Sequence, residues 1–181
     1  TLFKGSATKL KAYANEAYKT SGLSANAYME NVTSFSASLL QSMGGNTSQA
    51  ADKANMAMID MSDNANKMGT NIGDIQNAYQ GFAKQNYTML DNLKLGYGGT
   101  QDEMKRLLAD ATKITGVKYD MSNLGDVYSA IQAIQGKLGV TGTTAREAAT
   151  TFSGSFDSMK SAAQNVLGKL SLGMNIGPDL K

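Results

Sequence analysis

The chain has 181 residues and a formal net charge of +2, so it is long enough to bury a hydrophobic core and has too little charge for repulsion to keep it unfolded. It contains no histidine, the commonest general base near neutral pH, and no cysteine, the source of disulfides, thiolate nucleophiles and zinc–thiolate sites. An enzyme is therefore the class of protein that the composition supports least.

The apolar residues are unusual in kind. Leu, Ile, Val and Phe supply only 33 of the 181 residues, while 11 Met, 8 Tyr and 23 Ala add soft and small apolar surface. The one proline, Pro178, lies near the end of the sequence, and no stretch alternates as a strand would. We predict an all-α fold of about six to eight amphipathic helices joined by Gly-rich turns, which form a compact domain with a long C-terminal helix.

The first predicted helix runs from about Leu2 to Thr20 and ends at Gly22. Its lysines face only one acidic residue, Glu16, but arginine and interleaved aromatic residues are absent. We interpret these lysines as a solvated helix face, and we expect no sequence-specific nucleic-acid partner. The lysines are Lys4, Lys9, Lys11 and Lys19, and the apolar stripe is Leu10, Tyr13, Ala14, Ala17 and Tyr18.

The second predicted helix begins at a Ser24 N-cap and ends at the glycine pair Gly44 and Gly45. The glycines stop the helix because they adopt the left-handed backbone conformation of a C-cap without steric cost. Spacings of three and four residues place one apolar stripe on its buried face: Tyr28, Val32, Phe35, Leu39 and Met43.

The third predicted helix begins at Asn46 or Thr47 and combines a Met-rich stripe with a dense polar stretch. The polar stretch, residues 60–66, has the oxygen density of a calcium loop, but a loop begun at Asp60 would have Ala65 at the turning glycine's position. We therefore interpret residues 60–66 as a polar helix face. The stripe predicted to face the core is Met58, Ile59, Met61, Ala65 and Met68.

The stretch 74–110 joins two amphipathic helices through a cluster of turn residues. The corner Gly96–Gly99 precedes Thr100 and Glu103, which form a T-x-x-E capping box. A glycine-rich corner before a helix is also typical of a phosphate cradle, but no lysine follows the glycines and Asp102 adds negative charge. We predict a structural corner. The apolar positions are Ile75, Ala78, Tyr79 and Phe82, then Met89, Leu90, Leu93 and Leu95, then Met104, Leu107, Leu108, Ala111 and Ile114.

The last third of the chain predicts one helix that closes near Gly139 and a second, long helix. Thr144 and Glu147 repeat the capping box, and the pattern continues to about Leu172. The terminal run VLGKLSLGM has too few basic residues to indicate a membrane-surface helix. The stripes are Leu124, Val127, Tyr128, Ile131, Ile134 and Leu138, then Phe152, Phe156, Met159, Ala163, Val166, Leu167 and Leu170.

Several of these segments together resemble the tail tape measure proteins of long-tailed phages and prophages of Gram-positive bacteria. The similarity covers roughly Leu10 to Leu170, and its most specific part is the block from Gln76 to Asp110. One departure is visible, since the family usually has tryptophan where Ala163 stands. The segments are GLSANAYMENVTSFSASLLQS, AADKANMAMIDMSDNANKMGTN, IQNAYQGFAKQNYTMLDNLKLGYGGTQDEMKRLLADA and GTTAREAATTFSGSFDSMKSA.

The resemblance implies a structural role. Tape measure proteins are long, mostly helical chains that occupy the tail tube, set tail length during assembly and leave ahead of the DNA at infection. The expected partners are copies of the same chain and the tail tube and tail assembly proteins, and the expected location is the tail lumen of the virion. Membrane contact belongs, if anywhere, to other parts of such a protein. The family has no catalytic residues in this region.

We therefore expect no enzyme activity, no catalytic residue, no cofactor and no metal site. Residues 1–181 are predicted to be a helical segment of a longer protein, because the sequence starts at Thr1 rather than Met, with sub-units 1–99 and 100–181 divided at the corner. The alternative is a generic helical protein–protein interaction module of a bacterial surface or secreted protein.

Overall fold

A computed structural model describes residues 6–146, and within that range the fold is all-α. Seven α-helices and one 3-10 helix follow one another, and the described residues include no strand. The predicted helix from Thr144 to Leu172 lies outside the described residues except for its first turn, as do Leu2 and Lys4. The elements are α1 (Ala7–Asn15), α2 (Ala17–Ser21), α3 (Ala25–Ser42), α4 (Thr47–Met68), α5 (Ile72–Ala83), the 3-10 helix (Leu90–Leu93), α6 (Gln101–Thr115) and α7 (Leu124–Lys137).

The helices begin where short polar side chains can cap them. In each of α3 to α7 the N-cap side chain accepts a hydrogen bond from a backbone N–H of the first turn, which satisfies a donor that has no partner inside the helix. Glycines in the left-handed conformation end α2, α4 and α6. The N-caps are Ser24, Asn46, Asn71, Thr100 and Asn123, and the C-caps are Gly22, Gly69 and Gly116.

The single helix predicted for the start of the chain was wrong in part. It is divided at Glu16 into α1 and α2, and Tyr18, predicted to be on the apolar stripe, is 72% exposed. The stripe remains continuous across the break, because Leu10, Ala14 and Ala17 are all buried. The break turns α2 so that its small residues, rather than its tyrosine, face the core.

Helix α4 is the centre of the bundle. It packs against α1, α2, α3, α5 and α7, while α6 packs chiefly against α7. The largest fully buried side chains include three tyrosines and a phenylalanine. Their rings meet in edge-on and tilted pairs, with centroids 5.5 Å apart for Phe35 and Tyr128 and 5.0 Å apart for Tyr79 and Tyr128.

Most residues of the predicted apolar stripes are buried, Tyr13, Met43 and Met89 are half-buried, and two stripes are exposed at their last residue. Ile114 of α6 is 39% exposed and Leu138, just beyond α7, is 49% exposed. Both lie where a helix ends, so the periodic pattern continues past the point at which a neighbouring element can cover it. The buried members are Tyr28, Val32, Phe35, Leu39, Ile75, Ala78, Tyr79, Phe82, Leu90, Leu93, Leu95, Met104, Leu107, Leu108, Ala111, Leu124, Val127, Tyr128, Ile131 and Ile134.

The prediction for α4 needs the largest correction. Met58 and Met61 are buried as predicted, but Ile59, Ala65 and Met68 are only half-buried. Much of the inner face consists instead of alanines and of four residues from the stretch 60–66, which was interpreted as a polar helix face. Small side chains allow the neighbouring helices to approach α4 closely. The additional buried residues are Ala50, Ala51, Ala54, Ala57, Asp60, Ser62, Asp63 and Asn64.

The corner Gly96–Gly99 lies inside a single compact unit, Thr1–Ala145. Helix α7, which follows the corner, packs on α3, α4 and α5, all of which precede it. The corner thus changes the direction of the chain between α5 and α6 within one packed body.

Candidate functional site

The corner before α6 is stabilised by its own side chains. Thr100 Oγ1 accepts a hydrogen bond from the Glu103 N–H at 3.1 Å, as the capping box predicts. The reciprocal bond differs, because the Glu103 carboxylate accepts from the Gly98 N–H at 2.9 Å rather than from the N-cap amide. The capping box therefore forms in one direction only, and the glutamate binds two residues further upstream.

Arg106 completes this arrangement. Its guanidinium donates to both oxygens of Glu103 at 2.9 Å and to the Gly96 carbonyl at 2.7 Å, and it lies 4.3 Å from the centroid of the Tyr97 ring. The hydrogen bonds from Arg106, then from Gly98, lower the pKa of Glu103 to about 2. A carboxylate of the chain itself thus lies where a phosphate would lie in a cradle, which agrees with a structural corner.

A second group of polar residues lies in the interior, and we call it the buried polar cluster: Asp60, Ser62, Asp63 and Asn64 of α4 with Gln135 of α7. These five side chains are at most 3% exposed. Buried polar groups are costly unless they are hydrogen-bonded, so each member needs a partner.

Asn64 and Gln135 join three parts of the bundle. Asn64 Nδ2 donates to the Leu93 carbonyl at 2.8 Å and to Gln135 Oε1 at 2.9 Å, while its Oδ1 accepts from the Thr70 hydroxyl. Gln135 Nε2 donates to the backbone carbonyl of Asp60 at 3.0 Å. Both amides are therefore satisfied, and they connect α4 to α7 and to the 3-10 helix.

Asp63 caps a helical turn that lies far away in the sequence. Its two carboxylate oxygens accept hydrogen bonds from the Gly142 N–H at 2.7 Å and from the Thr144 N–H at 2.8 Å. Residues 143–146 are helical, so this carboxylate occupies the place of an N-cap side chain. Thr144, which was predicted as the cap, instead accepts a hydrogen bond at its hydroxyl from Asn66 Nδ2 at 2.7 Å.

Asp60 differs from the other members of the cluster. Among the described residues, neither oxygen of its carboxylate has a hydrogen-bond partner, and the same holds for the hydroxyl of Tyr79. Burial, and then the negative charge of Asp63, raise the pKa of Asp60 well above its usual range. Burial, followed by the charges of Asp60 and its neighbours, likewise raises the pKa of Tyr79.

A cleft of about 500 Å³ lies between the ends of α3 and α5 and the loop before α7. Two of its polar side chains bond to the protein backbone, since Ser38 donates to the Ala83 carbonyl and Asn123 Nδ2 donates to the Ser42 carbonyl. Asp120 accepts two bonds from Ser122, which lower its pKa. The cleft is open and polar.

The lysines predicted to form a solvated face are partly paired. Lys9 lies 2.8 Å from a carboxylate oxygen of Asp52, which also accepts from the Tyr13 hydroxyl at 2.6 Å. Lys19 forms an exposed ion pair with Glu16 at 3.7 Å, while Lys11 is exposed. Within residues 6–146 no group of three or more acidic side chains could hold a metal ion, and no helix is long and apolar enough to cross a membrane.

The sequence contained one signal for the buried polar cluster. Ala50, Ala54, Ala57 and Met61 follow one another at spacings of four, three and four residues, and the next position of that series is Asn64. When a helical series of apolar residues has an asparagine at its next position, that asparagine is expected to be buried on the same face. The partners of the cluster have no such signal, because Gln135 and Gly142 lie more than 70 residues away.

Comparison with known proteins identifies no relative of the chain. No family model, no curated protein and no solved structure matches the chain. The class of protein that the structure defines is thus an all-α helical bundle with a polar interior around α4.

Proposed function

We propose that the chain is a structural segment of a phage tail tape measure protein, which acts in tail assembly and in setting tail length. The observation that supports this most is the block from Gln76 to Asp110, which carries the most specific part of the resemblance. In the structure its conspicuous polar residues, Thr100, Glu103 and Arg106, bond to one another and to the backbone of the corner. This is an arrangement that holds geometry rather than one that performs chemistry.

The same proposal includes the partners, the location and the finer fold. The helix faces would contact copies of the chain and the tail tube and assembly proteins, in the lumen of the virion tail, and the segment would leave ahead of the DNA. Gly-rich turns would separate the helices. A long helix would continue from Thr144 to about Leu172, with its first turn capped by Asp63.

A length-measuring role requires an extended form. As one continuous helix the 181 residues would measure about 270 Å at ~1.5 Å per residue, whereas α4, the longest helix among the described residues, has 22 residues. We infer that the isolated segment folds as a bundle and is extended inside the tail. The inner face of α4 supports this, because its buried side chains other than Met58 and Met61 are small or polar, so that α4 itself contributes little large apolar surface when the bundle opens.

An in-frame deletion of residues 6–146 in the parent phage tests the proposal. If the segment is extended in the tail, removal of its 141 residues shortens the tail by about 210 Å, measured by electron microscopy. The matched control replaces the same residues with an unrelated helical sequence of equal length, which should restore the tail length. Tails of unchanged length after the deletion would contradict a ruler role.

A helical interaction module of a surface or secreted protein is the second candidate. The open cleft between α3, α5 and the loop before α7 favours it, because its polar lining is suited to contact with another polar surface. Mass spectrometry of purified tails separates the two candidates. A tape measure segment is found in intact tails, whereas an interaction module of the cell surface is not.

A further inference from the structure

Asp60 lies in the middle of α4, the helix on which five others pack, and only 1% of its surface is exposed. The adjacent donors are already used. Gln135 Nε2 donates to the backbone carbonyl of Asp60 and not to its carboxylate, and both N–H groups of the Asn64 amide donate to other acceptors. In this geometry an ionised carboxylate would receive no hydrogen bond from the described residues, the Tyr79 hydroxyl included, and would have almost no contact with solvent.

The charges around Asp60 also oppose ionisation. The negative charge of Asp63, one helical turn further along α4, raises the pKa of Asp60. Tyr79 of α5 lies within the electrostatic influence of Asp60, and the ring of Tyr128 of α7 packs on the ring of Tyr79. The other titratable groups of the five packed helices are paired elsewhere, hydrogen-bonded elsewhere or exposed. Lys9 pairs with Asp52 and Lys19 pairs with Glu16, and the hydroxyls of Tyr13 and Tyr28 donate to Asp52 and Asn55. Asp126 accepts a hydrogen bond from the Asp120 N–H. The exposed groups are Lys11, Tyr18, Glu30, Asp74 and Lys137.

We propose that Asp60 is a proton-controlled latch, which keeps the bundle closed as a neutral carboxylic acid and opens the contacts of α4 with α5 and α7 when it loses its proton. As a neutral acid, Asp60 avoids the cost of a buried charge; no hydrogen bond joins it to the Tyr79 hydroxyl, which is also without a partner among the described residues. As an anion, it can be solvated only when the helices separate. The latch goes beyond the proposed function and does not depend on it.

The sign of the pH effect follows from the raised pKa of Asp60 in the folded state. The unfolded chain releases this proton near the ordinary pKa of about 4, while the folded chain holds it. The stabilisation by the latch is therefore complete below about pH 4, and it is lost as the pH rises toward the raised pKa of the folded state. The direction is opposite to that of a carboxylate in a salt bridge.

Denaturant unfolding of the whole chain between pH 4.5 and 8 tests the latch with the variant Asp60→Asn. For the wild type we expect the unfolding equilibrium constant to rise with pH, by up to tenfold per pH unit. Asp60→Asn should remove this dependence and should unfold less readily than the wild type at neutral pH. The control Asp102→Asn removes an exposed carboxylate and should keep the wild-type dependence.

A wild-type pH dependence in Asp60→Asn, or none in the wild type, would overturn the latch. If Asp60→Asn does not fold, carbon-13 NMR of the wild-type side-chain carboxyl groups decides the matter. The Asp60 carboxyl carbon should then titrate at a pH above the ordinary aspartate pKa. Titration of this carbon near pH 4 would overturn the proposal as well.

Discussion

Tyr79 and Tyr128 are both fully buried, and their ring centroids lie 5.0 Å apart, but their hydroxyl groups are in different situations. The Tyr128 hydroxyl donates to the Tyr79 carbonyl at 2.9 Å. The Tyr79 hydroxyl has no partner among the described residues. A buried hydroxyl without a partner costs free energy, whereas a satisfied one contributes a little.

Removal of each hydroxyl should therefore have opposite effects. Tyr128→Phe should lower the free energy of unfolding by about 0.5–1.5 kcal/mol, because it deletes one buried hydrogen bond. Tyr79→Phe should leave the stability unchanged or raise it. The two variants are matched in chemistry and burial, so urea unfolding followed by circular dichroism compares them directly. A Tyr79→Phe variant that loses as much stability as Tyr128→Phe would show that the Tyr79 hydroxyl has a partner.

At the scale of one element, the corner before α6 depends on a close approach between two backbone segments. A Cβ atom added at Gly99 would lie 2.2 Å from the carbonyl oxygen of Thr88, and backbone atoms cannot move aside as a flexible side chain can. The neighbouring Gly98 has space, since its nearest contact would be Glu103 Cγ at 3.5 Å.

Gly99→Ala should thus lower the free energy of unfolding by about 1–3 kcal/mol, as overpacking of a tight site does. Gly98→Ala is the control, because it makes the same chemical change one residue earlier and meets only an ordinary van der Waals contact. Thermal unfolding of both variants measures the difference. Equal losses would mean that general flexibility of the corner, and not the approach to Thr88, requires the glycine.

The sequence predicted those elements whose signals are local. Periodicity placed α3, α5, α6 and α7 and most of their buried residues, because a helix needs only neighbours three and four positions away to define its face, and the predicted N-cap of α3 is confirmed at Ser24. The Thr100 cap is confirmed for the same reason. The hydrogen bond that the Gly98 N–H donates to Glu103 was not predicted, because the geometry of the corner, and not the motif, decides which amide lies next to the glutamate.

The inner face of α4 could not be predicted in the same way. Residues 60–66 were interpreted as a polar helix face and were not predicted to belong to the core, but Asp63 and Asn64 are buried because partners from distant segments satisfy them. These partners are set by how the helices pack in three dimensions, which no local spacing contains. The candidate site was therefore not predicted, although the helices α4 and α7 that carry it were.

Across the whole molecule, two carboxyl groups with opposite pKa shifts limit the range of stability. The pKa of Glu103 is lowered to about 2, so its bonds at the corner are intact above its ordinary pKa of 4.5 and are lost as the pH falls toward 2. The pKa of Asp60 is raised, so its contribution to the free energy of unfolding is lost as the pH rises. The bundle should be most stable under mildly acidic conditions.

The acid side of this range can be observed at one atom. The Gly98 amide proton donates to Glu103, so its NMR chemical shift should follow the titration of that carboxyl with a midpoint near pH 2. Glu103→Gln keeps an acceptor oxygen but cannot titrate, and it should remove this transition. A midpoint near 4.5 in the wild type would mean that the bonds from Arg106 and Gly98 do not persist in solution.

The central place of α4 also affects how the chain is made. Its hydrogen bonds to α7 involve polar groups, Lys53 with Ser129 and Asn64 and Asp60 with Gln135, and these partners are synthesised more than 70 residues later. Until α7 has been synthesised, Lys53, Asp60 and Asn64 of α4 are in contact with water, which solvates amides and charges well. Leucines at these three positions would expose apolar surface and promote aggregation of the unfinished chain, whereas the polar residues do not.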